Sequence, residues 1–212
     1  MSVSAPREAN HHYITSWVKS KAQWVDAQLA ALKVSGYQHH DKRQTKPTAL
    51  ALPALDEVWQ ITYQETEKPS LTVRSIGSGI IVTGAIDDIE SCQSALRRWL
   101  IRRAEPALSE WMASVAAQTV LSYSGLSIRN QRTRWGSCSA KGRISLNCNL
   151  LFLSKEQVRY VMIHELCHTL ELNHSNRFWG HVKRLEPNAD QLHHSLRLAW
   201  QQVPAWVHKA PH

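Results

Sequence analysis

The sequence predicts an α+β fold in which a small antiparallel sheet precedes a helical C-terminal half. Three observations lead there. Between Val58 and Val82, apolar and β-branched residues recur with period two in short runs, the pattern of half-buried strands. From Ser154 onward, apolar residues recur at helical spacing in three successive segments. The first of these contains His164-Glu165-Leu166-Cys167-His168, a spacing that makes one site only on a helix. Strands that come before helices, instead of alternating with them, argue for α+β architecture.

The elements follow in order. Residues 13–35 place Ile14, Trp17, Val18, Ala22, Val25, Leu29 and Leu32 on one stripe, so an amphipathic helix is expected, closed by Gly36. Residues 36–55, with His39-His40, mixed charges and two prolines, read as a linker. The histidine pairs at 11–12 and 39–40 read as solvated loop residues. The expected organisation is a helical extension and linker over 1–55 and a main domain over 56–212. Short strands are expected at 59–63, 71–74 and 79–83, with turns at 67–70 and 77–79. A long helix should span 87–122, kinked at Pro106, with Leu96, Trp99, Leu100, Leu108 and Trp111 among its buried residues. Strands at 127–129 and 143–150 flank Trp135-Gly136-Ser137-Cys138. In the second, Ile144, Leu146, Cys148 and Leu150 alternate with Arg143, Ser145, Asn147 and Asn149. Its polar face or edge could meet an extended peptide through main-chain hydrogen bonds, or simply meet water. Helices at 154–172, 175–186 and 188–203 complete the domain, with Ser154 and Ser175 as N-caps.

Composition sets outer bounds. The chain has 212 residues, a net charge of +8 and a pI near 9.5, which leaves room for a nucleic-acid or acidic partner without demanding one. No nucleic-acid-binding motif is present. No run approaches the about 18 apolar residues of a membrane span, and MSVSAPREANHHYITSW lacks an apolar signal core. Cys92, Cys138, Cys148 and Cys167 show no CxxC or framework spacing and read as free thiols, Cys92 and Cys167 as small helix-packing residues. A reduced, cytoplasmic protein is expected.

Residues four apart on a helix lie about 40° apart on its circumference, one turn above each other, so His164 and His168 project from one face toward a single zinc ion. Glu165 points beside them, where a carboxylate can take a proton from an attacking water. Zinc makes such a water acidic near neutral pH. The surroundings are apolar: Val158, Val161, Met162, Ile163 and Leu166 describe a buried helix rather than a polar surface segment. For the third ligand, His174 is preferred. On an unbroken helix it would lie about 9 Å beyond His168 and about 240° around the axis, so the chain must turn first. Asn173 tolerates a left-handed conformation and would make that turn. The spacing equals that of HExxHxxGxxH enzymes, but Glu171 stands where their glycine belongs. Glu186, before Pro187, is the competing third ligand.

The run RTRWGSCSAKGRISLNCNLLFLSKEQVRYVMIHELCHTLELNHSNRFWGHVKRLEPN resembles the YgjP-like metallopeptidase domain, a zincin-type family related to SprT-like peptidases. Its landmarks are Arg134 to Cys138, Ile144 to Leu150, Tyr160-Val161, His164 to His168, Asn173-His174-Ser175 and Phe178-Trp179. The resemblance spans about 57–203 and is strongest from Arg132 onward. It implies a zincin-like domain with one zinc held by His164, His168 and His174, Glu165 as general base, and a polypeptide substrate. Among other residues, Tyr160 lies one turn before His164 and could donate to an oxyanion, or pack in the core. Arg134 could stabilise negative charge or form a surface ion pair, and Asn147 is a candidate substrate contact. Trp135 and Trp179 read as core, and His181 as a packing histidine or a support of the site. The alternatives to a zinc peptidase are a nucleotide phosphoanhydride hydrolase using Arg129, Arg132, Arg134 and Arg143, and a DNA-associated protease. No Gly-rich phosphate loop supports the former.

Overall fold

A computed structural model describes residues 45–208, all of which lie within one unit, Arg43–His212. The helix expected over 13–35 and the histidine pairs at 11–12 and 39–40 lie outside the described residues.

The first sheet has four strands: β1 (Ala49–Leu52), β2 (Glu57–Glu65), β3 (Thr72–Ile76) and β4 (Gly79–Gly84), in the order β1-β2-β4-β3. Where a linker was expected, β1 pairs antiparallel with β2 and buries Leu50 and Leu52. Its alternation is only two leucines against two alanines between Pro47 and Pro53, too short a run to signal a strand. The sheet is mixed rather than antiparallel throughout. The segment after β2 skips one strand position, and the β3–β4 hairpin turns through Gly77, at φ 55°, to bring β4 back parallel to β2. Ile80 and Val82 of β4 face the core.

Helix α1 (Ile89–Thr119) is capped by the Asp88 carboxylate, which accepts from the Glu90 and Ser91 amides, and it continues past Pro106. Cys92, Leu96, Trp99, Leu100 and Leu108 are buried as expected, whereas Trp111 is only partly so. The helix is tied to the first sheet by Trp99. Its indole donates to Ser75 Oγ at 2.8 Å, and its ring meets Trp59 edge-on at 5.1 Å.

The second sheet positions the site. It comprises β5 (Gly125–Arg129), β6 (Gly136–Cys138) and β7 (Arg143–Asn147), in the order β5-β7-β6. Strand β7 pairs parallel with β5 and antiparallel with β6, so both its edges are used. The expectation that this strand offers an edge to a peptide is therefore overturned. The chain also leaves the sheet at Asn147 and forms a buried 3-10 turn, Cys148–Phe152, where a longer strand was expected. Asn147 is 0 % exposed, so it contacts no substrate. Its amide donates to the carbonyls of Gln131 and Arg134, each at 2.8 Å, and its oxygen accepts from the Asn149 amide. Alternation read this asparagine as solvent-facing because a polar side chain bonded to buried backbone has the same signature as one facing water.

Three helices close the fold: α2 (Lys155–Cys167), α3 (Asn176–Leu185) and α4 (Ala189–Leu196), followed by short 3-10 turns at Ala199–Gln202 and Ala205–Val207. Helix α2 opens with a capping box between Ser154 and Gln157. The Gln157 amide also donates to Ser195 Oγ at 2.9 Å, fixing α4 against α2. Ser175 caps α3 through the Phe178 amide, as its position before Asn176 predicts. All four cysteines are unpaired, and Cys92 and Cys167 are buried on helices. Among the described residues no helix is long and apolar enough to cross a membrane.

Because Asn147 satisfies two loop carbonyls in a water-free place, Asn147→Ala should cost about 1–3 kcal/mol. In a domain of this size that lowers Tm by roughly 2–12 °C. Thermal unfolding followed by circular dichroism checks this; an unchanged Tm would remove Asn147 as the anchor of the loop before β6.

Candidate metal centre

Helix α2 delivers His164 and His168 from one face, with ring centroids 4.9 Å apart. It ends sooner than expected, at Cys167, and the turn differs from the one the sequence suggested. Asn173 does not take a left-handed conformation; among the described non-glycine residues only Asp56 and Val120 do. The helix instead unwinds through Thr169 to Glu171, whose amides return to the carbonyls of Leu166 and Cys167. Glu171 then serves the turn twice. Its carbonyl accepts from His168 Nδ1 at 3.0 Å, and its carboxylate pairs with Arg177 at 3.0 Å. No glycine is needed at this position because no positive φ is required there.

The result brings the three histidines together. A ligating atom from each of His164, His168 and His174 lies within 4.8 Å of the others, and the Nε2 atoms of His174 and His164 are 3.0 Å apart. Two nitrogens bound at 2.0–2.1 Å to a tetrahedral zinc stand about 3.3 Å apart, so the spacing fits a shared ion. The hydrogen bond to Glu171 leaves Nε2 of His168 as its free lone pair, the arrangement expected of a supported metal ligand. His164 Nδ1 is buried without a hydrogen bond.

Phe178, fully buried on α3, touches all three imidazoles. It stacks on His168 at 4.4 Å and meets His164 and His174 edge-on at 4.9 and 4.8 Å. Sequence reading marked Phe178 only as a family landmark. The signal available was its position four residues after His174, on a helix that must fold back under α2. Burial pushes His164 down to about 3, assisted by repulsion from His168, His174 and His193. His168 is lowered as well, chiefly by burial. Burial thus favours the neutral imidazole at His164 and His168, the form that binds metal.

Glu165 is 5 % exposed, and burial raises it to about 8, with the Arg134 charge pulling the other way. Its Oε2 is buried and unbonded. Strand β6 lies directly against it: a Cβ built on Gly136 would stand 2.7 Å from both Cγ and Oε1 of Glu165. Only glycine leaves the carboxylate in this position. Arg134 itself is exposed, just before β6.

Tyr160 is buried one turn before His164, and its hydroxyl lies 3.0 Å from His193 Nδ1. Burial raises the phenol, which keeps it protonated, while burial and Arg197 push His193 down. His193 was missed from the sequence because it lies on the last helix, outside any motif; only the packing of α4 on α2 reveals it. It faces Trp179 at 5.2 Å, and Trp179 in turn lies 5.8 Å from His174, so this tryptophan borders the site. Trp135 is buried but stacks on Trp200 beside a cavity of about 430 Å³ that reaches His164 and Glu165. Glu186 is held by Arg159 at 2.7 Å, and neither it nor half-buried His181 joins the imidazole cluster.

Comparison with known proteins follows the same direction. The family model for the YgjP-like metallopeptidase domain matches residues 1–199. The chain belongs to that family. The YgjP-like match begins at Met1, well before the sequence landmarks that start near Arg132. No curated protein matches the chain. A solved structure, the metallopeptidase zymogen abylysin of Pyrococcus abyssi, is similar at 24 % identity and a TM-score of 0.40. That match covers 44 % of this chain and 95 % of the other, a likeness too slight to bear on activity.

The contact between Gly136 and Glu165 predicts that Gly136→Ala displaces the carboxylate without touching the imidazoles. Displacement of a reacting group by about 1 Å can cost about 10²-fold in rate. Turnover of an unfolded protein should fall by that order while bound metal stays at the wild-type level. Full turnover in Gly136→Ala would show that β6 does not position Glu165.

Proposed function

We propose that this YgjP-like metallopeptidase is a zinc enzyme that hydrolyses peptide bonds, with His164, His168 and His174 holding one ion and Glu165 acting as general base. The observation that carries this reading is the convergence of three imidazoles within 4.8 Å beside a buried, unbonded carboxylate oxygen. The donor set is nitrogen only, which suits zinc better than the hard, oxygen-seeking cations. When bound, zinc supplies an acidified water and a Lewis acid for the scissile carbonyl.

The chain's own residues do the rest. Glu165 takes a proton from the attacking water and passes it to the leaving amine. Its raised affinity for a proton, caused by burial, suits both halves of that task. Tyr160 keeps its proton, and in the tautomer where His193 Nδ1 donates to the phenol oxygen, that proton is free to meet developing negative charge. Strand β6 is one of the two edge strands of its sheet among the described residues, and it borders Glu165. An extended polypeptide is therefore proposed to pair along β6, not along β7. The unpaired thiols accord with a reducing compartment such as the cytoplasm.

Three variants separate ligand from base. Glu165→Gln should retain one zinc per chain and lose about 10²–10⁴-fold in hydrolysis of denatured protein. Retained turnover would remove Glu165 from the mechanism. His174→Ala should lose stoichiometric zinc while Glu186→Ala keeps it, as read by metal analysis of the purified proteins. The reverse pattern would transfer the third ligand to Glu186.

A further inference from the structure

The cavity beside Glu165 is larger than the hydrolytic groups require. Its volume of about 430 Å³ falls in the range of roughly 300–1,000 Å³ that small ligands occupy. His164 and Glu165 are part of its lining. The remaining walls are largely apolar: Val161 and the Tyr160 ring from α2, Leu196 from α4, and Trp135 with Trp200. The two indoles are stacked, 3.9 Å between centroids and 15° from parallel, so each holds the other rigidly in the lining. A rigid aromatic surface of this kind favours another flat or bulky apolar group and loses little entropy in binding it.

Charge narrows the choice. Arg197 also lines the cavity, is exposed, and takes part in none of the ion pairs among the described residues. Its charge is felt by His193 on the same wall. A cation without a partner beside an apolar hollow repels a lysine or arginine side chain and leaves an uncharged one unaffected.

We propose that this cavity is the pocket that selects the substrate residue beside the scissile bond, accepting a bulky apolar or aromatic side chain and rejecting Lys and Arg. Leu196 and Trp200 set its size, and Arg197 sets its charge preference. This rests on the peptidase reading above, since only a site that cleaves polypeptide has a side chain to select.

The test has a binding arm and a cleavage arm, both on the full chain loaded with zinc. In the binding arm, Glu165→Gln protein is titrated calorimetrically with the N-acetyl amides of phenylalanine, leucine, alanine and lysine. Phenylalanine and leucine should bind roughly 10- to 100-fold more tightly than alanine, the gain expected from burying the larger side chain. Lysine should bind no better than alanine. Adding Leu196→Trp should reduce phenylalanine to the alanine level, and adding Arg197→Glu should raise lysine. Arg197 is exposed, so its variant reports even if Leu196→Trp fails to fold. In the cleavage arm, a peptide library is digested by the wild type and the new termini are read by mass spectrometry. Enrichment of large apolar residues next to the cut, lost in Leu196→Trp and extended to basic residues in Arg197→Glu, supports the pocket. Equal binding of phenylalanine and alanine, or Glu165-dependent cleavage without side-chain preference, overturns it and leaves the peptidase reading intact. Selective binding with no cleavage of any peptide would overturn both the peptidase reading and the pocket's role, because a hollow with no scissile bond beside it selects no substrate residue.

Discussion

Three imidazoles gathered at one point, His168 buried, His164 half-buried and His174 exposed, are the constraint around which the rest of the structure is arranged. Protonating one of them is costly, because burial and its two neighbours oppose the charge, and His164 is pushed down to about 3 as a result. Two of the rings come free of backbone cost, since helical spacing stacks His164 above His168. The third must be brought back, and the fold commits several groups to doing so: the early end of α2, the Glu171 carbonyl and carboxylate, the Ser175 cap and the Phe178 ring on which all three imidazoles rest. Phe178 packs as core and touches all three imidazoles at the same time, so the hydrophobic interior and the candidate metal centre are continuous.

Glu165 shares a helical turn with His164 but meets the opposite consequence of burial. The same loss of water that depresses the imidazole raises the carboxylate to about 8. Pushing adjacent titratable groups in opposite directions gives one a lone pair for a cation and the other a strong attraction for a proton. The second sheet contributes through a single missing side chain, since the close approach of β6 at Gly136 is what lets the carboxylate sit beside the strand edge. Asn147 supports that strand from behind by holding the backbone that leads into it.

Much of this was legible in the sequence, for physical reasons that also explain the failures. The α+β class, the Ser154 and Ser175 caps and the His164–His168 pair follow from local periodicity and side-chain chemistry, and each is found. The turn to His174 was expected at Asn173 and occurs earlier, because hydrogen bonds to the Glu171 backbone carry it and backbone acceptors leave no trace in residue identity. Strand β1 and the short strand β6 were overlooked, as three or four residues give too few alternations to register. The parallel pairing of β2 with β4 and of β5 with β7 depends on which strand fills a gap, a tertiary matter. His193 and the stacked Trp135 and Trp200 come from segments far apart in the chain, and packing alone brings them to the site.

In the proposed site three imidazoles, and no thiolate or carboxylate, hold the ion. X-ray absorption at the zinc edge of the loaded protein reads this directly. Three imidazole nitrogens at about 2.0–2.1 Å with one oxygen from water are the expected coordination. A sulfur contribution near about 2.3 Å, or fewer than three imidazoles, would contradict it.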